Sequence, residues 1–444
     1  MKITFWGGAS EVTGANYILE SASGATKIMV DCGMKQGGHD AERGNWNEFG
    51  YDPKGVAALF ITHSHIDHVG RVPLLAKRGF AGKILSTPPC RDAAHELLLD
   101  SQHLLASTAE QLGLPVLYEE ADIESAMKLW EGVPYHRPVT VGDFTATLYD
   151  AGHVLGSSSI LVEDKDGKKI VFSGDLGNSP APLLGEKDSM PEADYCLIES
   201  AYGNRLHEDR VRRKEMLEDA IEETVKDGGV LMIPAFALER TQELLSEVDD
   251  LAEHGAIPRI PVYLDSPLAI RLTEVYRKYH DYLKAGSFDF TFHDLHMTPT
   301  TEQSKAINRA PDPKVVIAGA GMSNGGRIVH HERQHLSDPK STLLFIGYQS
   351  EGTLGRRLMD GAKSVTIFGE DVAVKCRIKI IGGYSAHADQ SQLLAWVAPR
   401  RDVLKKVFAV QGETEAAQAL VTKMRDELAI DAEVPVAGAT YDLP

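Results

Sequence analysis

The chemistry of this chain is concentrated in residues 63–68, His-Ser-His-Ile-Asp-His, four of which are metal-ligand types. The segment directly follows the apolar run 56–61, which predicts a buried strand that ends in a ligand loop. Side chains two residues apart point the same way in an extended loop, so His63 and His65 can share one cation. The aspartate and the last histidine lie past a bend and can bind a second cation. Imidazole and carboxylate groups suit zinc or iron, and the alternative is a polar surface loop without ligands.

Length and composition indicate a globular chain with two domains. Its 444 residues exceed one ordinary core, and 43% hydrophobic with 25% charged residues is typical of soluble proteins. No stretch approaches the length of a membrane span, and the N-terminus begins a strand-like pattern instead of a secretory signal. The four cysteines form no CxxC pair, as expected for reduced thiols. We therefore expect a cytoplasmic protein without a membrane partner.

The net charge of −18 argues against nonspecific binding of nucleic acid. A polyanionic substrate would need local positive charge, either from metal ions or from clustered arginines. One basic cluster could guide a nucleic-acid backbone, although interleaved acidic residues make a solvated helix face an equal alternative. Its members are Arg205, Arg210, Arg212, Arg213 and Lys214.

The rhythm of the pattern changes twice along the chain. Strands dominate up to about residue 60 and return between 144 and 198, with helices between them. From about 205, short apolar strands alternate with amphipathic helices, which predicts a parallel sheet covered on both faces. The strand-rich character resumes from about 372, as if one domain were interrupted by another. The predicted boundaries are 1–204 and 372–444 for the interrupted domain and 205–371 for the insertion.

Candidate functional residues follow six apolar strands at the point where each strand ends. Ligands lie at the carboxyl ends of strands in open α/β sheets, so these residues are expected to meet. Each alone could be a polar residue that starts a loop, but six such coincidences favour a shared site. Besides residues 63–68, the strand ends carry His153, Asp175, Glu199, His387 and Gln411.

These motifs resemble a known family. The 63–68 motif, AGHVLGS around His153 and SGDLG around Asp175 resemble the metallo-β-lactamase fold. The stretches IESAYGNR, SAHAD and VQGE resemble three motifs of the β-CASP subfamily of RNA- and DNA-processing nucleases. Residues 234–240, 265–269, 322–327 and 347–355 resemble its inserted domain. Ile66 fits the branch related to the cleavage and polyadenylation endonuclease better than the RNase J branch. The resemblance implies a four-layer αββα sandwich with an inserted Rossmann-like α/β domain.

The resemblance also implies the roles of the individual residues. His63, His65 and His153 would bind one zinc ion, Asp67 and His68 a second, and Asp175 would bridge the two. A hydroxide activated by the two metals would attack RNA phosphodiesters and leave a 5′-phosphate and a 3′-hydroxyl. The catalytic set would comprise Asp67, Glu199 and His387, with His387 as general acid oriented by Glu199. Substrate binding is assigned to Ser385, Arg240 and Arg327.

Gln411 departs from the family pattern, in which RNA-directed members usually have histidine at this position. An amide oxygen can ligate zinc but is a weaker donor than imidazole. We therefore predict a weaker second metal site that could take Mn²⁺ in place of Zn²⁺. The same departure raises the alternative of a catalytically weak homologue that only binds RNA.

The function expected from the sequence is that of a metal-dependent ribonuclease acting on single-stranded RNA, with DNA less favoured. A narrow cleft between the two domains, reached by Arg240 and Arg327, would admit a single strand more readily than a duplex. The alternatives are a small-molecule metallohydrolase for esters, thiolesters or lactones, and the RNA-binding homologue. A homodimer is compatible with the sequence, which does not decide the oligomeric state.

Overall fold

The computed structural model describes residues 1–207, 210–347 and 349–444, and leaves aside the side chains of residues 39, 40, 210 and 211. The chain divides into two compact units. The first unit contains Met1–Leu206 and His387–Pro444, and the second contains His207–Ala386. Within the described residues, every helix is too short or too polar to cross a bilayer.

The first unit is built from two mixed sheets of seven strands each. In the first sheet the strands lie in the order Thr440–Asp442, Lys2–Gly7, Asn16–Glu20, Lys27–Val30, Ala58–Phe60, Lys83–Ser86 and Trp130–Gly132. In the second sheet the order is Ala432–Glu433, Lys406–Val410, Tyr195–Glu199, Lys169–Phe172, Ser158–Asp164, Phe144–Asp150 and Val139–Val141. Four of the strands that lead into the candidate site are parallel to a neighbour on at least one side, whereas Phe144–Asp150, which precedes His153, is antiparallel to both of its neighbours.

Alternation along the buried strands explains the layering of this unit. Ala58 and Phe60 point into the core between the two sheets, whereas Leu59 points to the outer layer. Likewise Phe172 faces the inner core and Val171 the opposite layer. Helices cover both outer faces and complete the predicted αββα order. They are His39–Arg43, Ile66–Val69, Val72–Lys77, Pro88–Leu112, Glu120–Leu129, Gln390–Val397 and Thr414–Leu428.

The second unit contains a six-stranded sheet in which every paired strand is parallel. Its order is Leu295–Met297, Val262–Asp265, Lys314–Ala318, Val230–Pro234, Thr342–Phe345 and Arg377–Ile380. Leu231 and Ile233 face one hydrophobic core and Val230 and Met232 the other, so both faces are covered as the sequence predicted. The helices are Arg210–Asp227, Arg240–Glu253, Pro267–Lys278, Thr301–Ile307, Ile328–His335 and Leu354–Met359, and a hairpin joins Ser364–Ile367 to Glu370–Ala373.

The return to the first unit falls at His387, fifteen residues after the boundary drawn at 372 from the sequence. The reason is strand Arg377–Ile380, which pairs in parallel with Thr342–Phe345 and extends the sheet of the second unit. Strand-like composition alone does not reveal which sheet a strand joins. One of the six strands thought to end at a common site therefore belongs to the inserted unit, although the residue that follows it, His387, belongs to the first.

Candidate active site

The loop after strand Ala58–Phe60 has the geometry that its spacing predicted. His63 and His65 precede the short helix Ile66–Val69, and the chain turns so that Asp67 and His68 lie on its first turn. Gly33 permits the close approach that this turn needs, because a Cβ there would lie 1.5 Å from the carbonyl oxygen of Asp67. The four ligand-type residues are thereby presented in two pairs.

The first group of ligand atoms consists of three imidazoles and one carboxylate. His63 Nε2 lies 3.0 Å from His65 Nδ1, which lies 3.3 Å from His153 Nε2. Asp175 Oδ2 lies 3.4 Å from His63 Nε2 and 3.6 Å from His153 Nε2. These residues come from three separate loops, and all four ligand atoms lie within 4.8 Å of one another.

These separations fit a tetrahedral metal ion. Zinc bonds of about 2.0–2.1 Å place the four ligand atoms about 3.3 Å from one another. The observed edges of 3.0, 3.3, 3.4 and 3.6 Å surround that value. Without a central cation, such close ring nitrogens and a carboxylate would have only each other and the available protons as partners, so the donor set suits zinc.

The second group lies on the other oxygen of Asp175. His68 Nε2 is 3.5 Å from Asp175 Oδ1 and 3.6 Å from Asp67 Oδ2. Asp175 Oδ1 accepts no hydrogen bond among the described residues although it is fully buried. The two oxygens of Asp175 thus face two ligand groups, which is the arrangement expected of a bridging carboxylate.

Gln411 completes the second group in an unusual orientation. Its Nε2 lies 3.1 Å from His68 Nε2, and its Oε1 has no hydrogen-bond partner among the described residues. The residue adopts a φ of +49°, and its backbone N–H donates to the carbonyl oxygen of Gly8. The nitrogen therefore points where a ligand would point, and rotating the amide by half a turn would place the oxygen there instead.

Two residues that the sequence reasoning missed hold the second group from behind. Asp31 Oδ2 accepts hydrogen bonds from His68 Nδ1 and from the hydroxyl of Thr62, each at 2.8 Å. Its Oδ1 accepts the backbone N–H of Thr62, also at 2.8 Å. The bond to Nδ1 fixes the tautomer of His68 and leaves Nε2 as the ligand atom. The sequence did offer one signal for Asp31, because this aspartate directly follows the strand Lys27–Val30, just as the other candidate residues follow their strands.

Burial and charge divide the histidines into two kinds. Burial lowers the pKa of His63 well below its ordinary range, and the neighbouring His68 adds to this, so the neutral imidazole, the form that can bind a metal, is favoured. Burial also acts to lower the pKa of His68, but the carboxylates of Asp175, Asp67 and Asp31 outweigh it and raise the value to about 10. These carboxylates favour positive charge at this position, and a metal ion on Nε2 would supply that charge in place of the proton. Burial raises the pKa of Asp175 to about 7. A buried carboxylate shared by several groups is stabilised in its charged form by a cation.

Glu199 and His387 form an acid–base pair beside the metal ligands. Glu199 is fully buried at the end of strand Tyr195–Glu199, and its Oε1 accepts the backbone N–H of Leu176. Its Oε2 lies 3.0 Å from His387 Nδ1, and Asp175 Oδ2 lies 3.8 Å from the same atom. Burial acts to lower the pKa of His387, but the Glu199 carboxylate raises it to about 10. The imidazole is therefore held in the charged form that a proton donor needs.

The three predicted substrate-binding residues lie in the second unit, apart in sequence from these ligands. Arg240 Nη1 donates to Glu243 at 3.0 Å, and Arg327 Nη1 donates to Asp265 at 2.8 Å and to the carbonyl oxygen of Thr298. Both guanidinium groups are thus engaged within their own unit, and contact with a substrate stays a prediction. Ser385 follows the turn Gly382–Tyr384.

The basic cluster identified in the sequence is only partly solvated. Arg213 is 4% exposed and its guanidinium pairs with Glu247, while Lys214 pairs with Asp250. The side chain of Arg210 lies outside the described residues. Arg205, in the first unit, is exposed. Arg213 is therefore used inside the second unit and does not contribute to a basic surface.

Three family models match the chain. The metallo-beta-lactamase superfamily matches residues 11–221, the Beta-Casp domain 241–358, and the Zn-dependent metallo-hydrolase RNA specificity domain 371–435. Ribonuclease TTHA0252 of Thermus thermophilus is 38% identical over 95% of both chains. Transcription termination factor FttA of Methanosarcina mazei is 28% identical over 97% of this chain and 70% of its own. A crystal structure of a protein of unknown function from Enterococcus faecalis V583 shares the fold, with a TM-score of 0.59 and 12% identity over 100% and 99% of the two chains.

The fold and the ligand set define a metallo-hydrolase of the metallo-β-lactamase type. With a relative 38% identical over nearly its whole length and matches to all three domain models, the chain belongs to the β-CASP family of that superfamily. The fold class and family expected from the sequence are thereby confirmed.

Proposed function

We propose that this protein is a metal-dependent ribonuclease that hydrolyses RNA phosphodiesters and leaves a 5′-phosphate and a 3′-hydroxyl. The observation that carries the proposal is the position of Asp175, whose two oxygens face two separate groups of ligand atoms. The family match to an RNA specificity domain and a ribonuclease among the relatives support RNA as the substrate. They favour neither a small-molecule hydrolase nor an RNA-binding homologue without activity.

The metal ions of this proposal are two zinc ions. His63, His65, His153 and Asp175 would hold one of them, and Asp67, His68, Asp175 and Gln411 the other. When bound, such ions act as Lewis acids on the phosphate and lower the pKa of a coordinated water. Closely spaced cations would also supply the local positive charge that a protein of net charge −18 needs to hold a polyanion.

The residues of the acid–base pair supply the proton for the leaving group. Glu199 orients the ring of His387 through Nδ1 and keeps the imidazole charged. The other ring nitrogen, Nε2, is the atom from which the proton passes to the departing O3′ of the upstream nucleotide. A donor that is largely protonated at neutral pH suits an alkoxide leaving group, which is strongly basic.

The proposal also covers the type of nucleic acid, the cellular location and the oligomeric state. Single-stranded RNA is favoured over DNA because the relatives that match over most of this chain include a ribonuclease. Cytoplasmic location and a homodimer are retained as proposals that the sequence permits.

Incubation with end-labelled RNA tests the activity. Purified protein is given a single-stranded RNA and a DNA of the same sequence, with and without a chelator, and the chelated sample is then reloaded with Zn²⁺ or Mn²⁺. We expect chelator-sensitive cleavage of the RNA that the added metal restores, with product ends carrying 5′-phosphate. Binding without cleavage would favour the RNA-binding homologue, and ester or thiolester turnover without RNA cleavage would favour the small-molecule hydrolase.

Replacement of Gln411 tests the second metal site. Imidazole is the stronger donor for zinc, so Gln411→His should raise the zinc content per chain after dialysis against a weak chelator. Elemental analysis of the dialysed protein measures this without recourse to activity. Gln411→Asn, which keeps the amide on a shorter side chain, is the matched control. The proposal of a weak second metal site is wrong if the wild-type protein already retains two tightly bound zinc ions per chain.

A further inference from the structure

The loop that follows Glu199 carries two side chains without an assigned role, Tyr202 and Arg205. The ring of Tyr202 lies 5.9 Å from the ring of His387, with 32° between the two planes. The guanidinium carbon of Arg205 lies 5.4 Å from the centre of the Tyr202 ring. The ring of His387 also lies 4.6 Å from the ring of the proposed metal ligand His153. A series of contacts thus leads from the metal ligands through the general acid to an arginine.

Exposure increases along this series. The side chain of His153 is fully buried and that of His387 is 28% exposed. Tyr202 is half-buried, and Arg205 is exposed. Within the described part of the chain, the Arg205 guanidinium forms no ion pair, and its Nε donates to Asn204 Oδ1 at 3.2 Å. The outer end of the series therefore places a positive charge in solvent beside a half-buried aromatic ring, in a strongly acidic protein.

The backbone of this loop is fixed, so the two side chains are presented in a defined place. Gln390 donates from its side chain to the carbonyl oxygen of Gly203 at 2.6 Å and from its backbone to that of Arg205 at 3.1 Å. Ser200 donates to the carbonyl oxygen of Val410 at 2.8 Å. Gly203 is required at the turn, because a Cβ there would lie 2.4 Å from the carbonyl oxygen of Ala416.

We propose that Tyr202 and Arg205 form the subsite for the nucleotide whose O3′ leaves. The inference rests on the proposed function. In the hydrolysis, the oxygen of water bonds to phosphorus and the water gives up a proton to solvent. The bond from phosphorus to O3′ breaks with its electron pair on O3′, which takes a proton from His387. The nucleotide that bears O3′ must therefore lie against His387. Its base stacks on Tyr202, and the phosphate on its 5′ side meets Arg205.

The chemistry of the two side chains suits this ligand. Stacking on an aromatic ring tolerates any base, since every base has a π face, and contributes about 1–3 kcal/mol per base. Arginine adds a charge for the phosphate and can also stack. The subsite would therefore recognise a nucleotide on the upstream side of the cut without selecting its base.

Two substrates separate binding of the leaving nucleotide from the rest of the reaction. One is single-stranded RNA. The other is thymidine 5′-(4-nitrophenyl phosphate), in which nitrophenol replaces the upstream nucleotide and leaves without needing a proton. We expect Tyr202→Leu and Arg205→Gln each to lower the ratio of kcat/KM for RNA to kcat/KM for the ester by roughly tenfold. Tyr202→Phe, which keeps the ring, should retain a ratio closer to that of the wild type.

The salt dependence gives a second readout for Arg205. A phosphate contact to a single strand contributes about 0.7 to the slope of log affinity against log salt. Arg205→Gln should therefore reduce the slope for RNA binding by about 0.7, measured by fluorescence anisotropy with chelated protein. Arg401→Gln is the matched control, because Arg401 is another exposed arginine of the first unit.

The outcomes distinguish the subsite from the activity itself. If the variants cleave both substrates more slowly by the same factor, the loop only supports the fold of the site and the subsite is wrong. A lower ratio together with an unchanged salt slope for Arg205→Gln would mean that the loop only positions His387, which also overturns the subsite. An unchanged ratio and an unchanged slope for Arg205→Gln also overturn it, and this exposed residue decides the matter should Tyr202→Leu fail to fold. A wild-type protein that cleaves neither substrate would instead overturn the proposed function.

Discussion

Each unit contains a buried cluster of histidine and carboxylate, and the two clusters differ in how the carboxylate is hydrogen-bonded. In the first unit, Asp175 lies among His63, His153 and His68, and its Oδ1 accepts no hydrogen bond among the described residues. In the second unit, Asp265 is completely buried and both of its oxygens are saturated. They accept hydrogen bonds of 2.7–2.8 Å from Arg327, His331, Thr298 and Ser304.

The pKa values of the two aspartates reflect this difference. Burial raises the pKa of Asp175 to about 7. Burial acts in the same direction on Asp265, but hydrogen bonds from His331, Ser304, Arg327 and Thr298 outweigh it and lower the value to about 2. A carboxylate whose donors are all internal stabilises the fold, whereas one facing several imidazole nitrogens is completed by a cation from outside. The two clusters contain the same residue types, and they differ in whether both oxygens of the buried aspartate receive hydrogen bonds from within the protein.

The largest expected effect is that of Asp175→Asn. Loss of the shared carboxylate should abolish binding at both metal groups, so the zinc content falls and RNA cleavage drops by more than the roughly 10–100-fold typical of outer-shell changes. Elemental analysis and single-turnover cleavage measure the two effects. If Asp175→Asn kept its full metal content and cleaved RNA at the wild-type rate, Asp175 would not be a metal ligand and the contrast with Asp265 would be wrong.

Asp265→Asn should have the opposite signature. Removing the charge from a buried, paired carboxylate costs about 3–5 kcal/mol, so urea denaturation of the full chain should show a lower stability. The zinc content of the folded protein should stay at the wild-type value. Because the folded-state pKa of about 2 lies below the ordinary 3.8, the ionised carboxylate stabilises the fold above pH 3.8. That contribution is lost as the pH falls through 2, and the variant should lack it.

Asp31→Asn tests the support behind the second metal group. The residue has a φ of +59°, which asparagine tolerates, so the backbone should keep its shape. Asparagine has only one acceptor oxygen, so it cannot accept both the backbone N–H of Thr62 and Nδ1 of His68, which bond to different oxygens of Asp31. We therefore expect metal affinity to fall roughly 10–100-fold. Competition with a chromogenic chelator measures the affinity. Equal affinities for variant and wild type would mean that His68 needs no partner at Nδ1.

The smallest expected effect concerns Glu332 in the second unit. The side chain is fully buried, its Oε1 accepts from Ser323, and burial raises its pKa to about 7, above the ordinary 4.5. The protonated form therefore stabilises the fold fully below pH 4.5, and this contribution is lost as the pH rises through 7. Glu332→Gln should gain about 1–3 kcal/mol relative to the wild type between pH 5 and pH 8 in urea denaturation. Glu302→Gln, at an exposed position, is the control and should show no such difference between the two pH values.

The ligand loop could be anticipated because its information is local. Residues 63–68 follow one strand directly, and spacing alone predicts which side chains can share a cation. Asp31 was missed although it also follows a strand, because a single aspartate before a cysteine and a glycine has no distinctive pattern. The motif of Arg327 predicts a contact with the substrate, which stays a prediction, and the structure adds that its guanidinium is bound to Asp265 and to backbone carbonyls.

The sequence by itself determined the periodicity of the strands and helices, the two-domain order and the residue types available at each strand end. These features depend on neighbours along the chain, and so they can be read from it. Only the tertiary structure decided which sheet receives strand Arg377–Ile380, which oxygens of Asp175 face which histidines, and which buried carboxylates find internal donors. Each of these depends on pairings between distant residues, and their distances are set by packing, which no local pattern specifies.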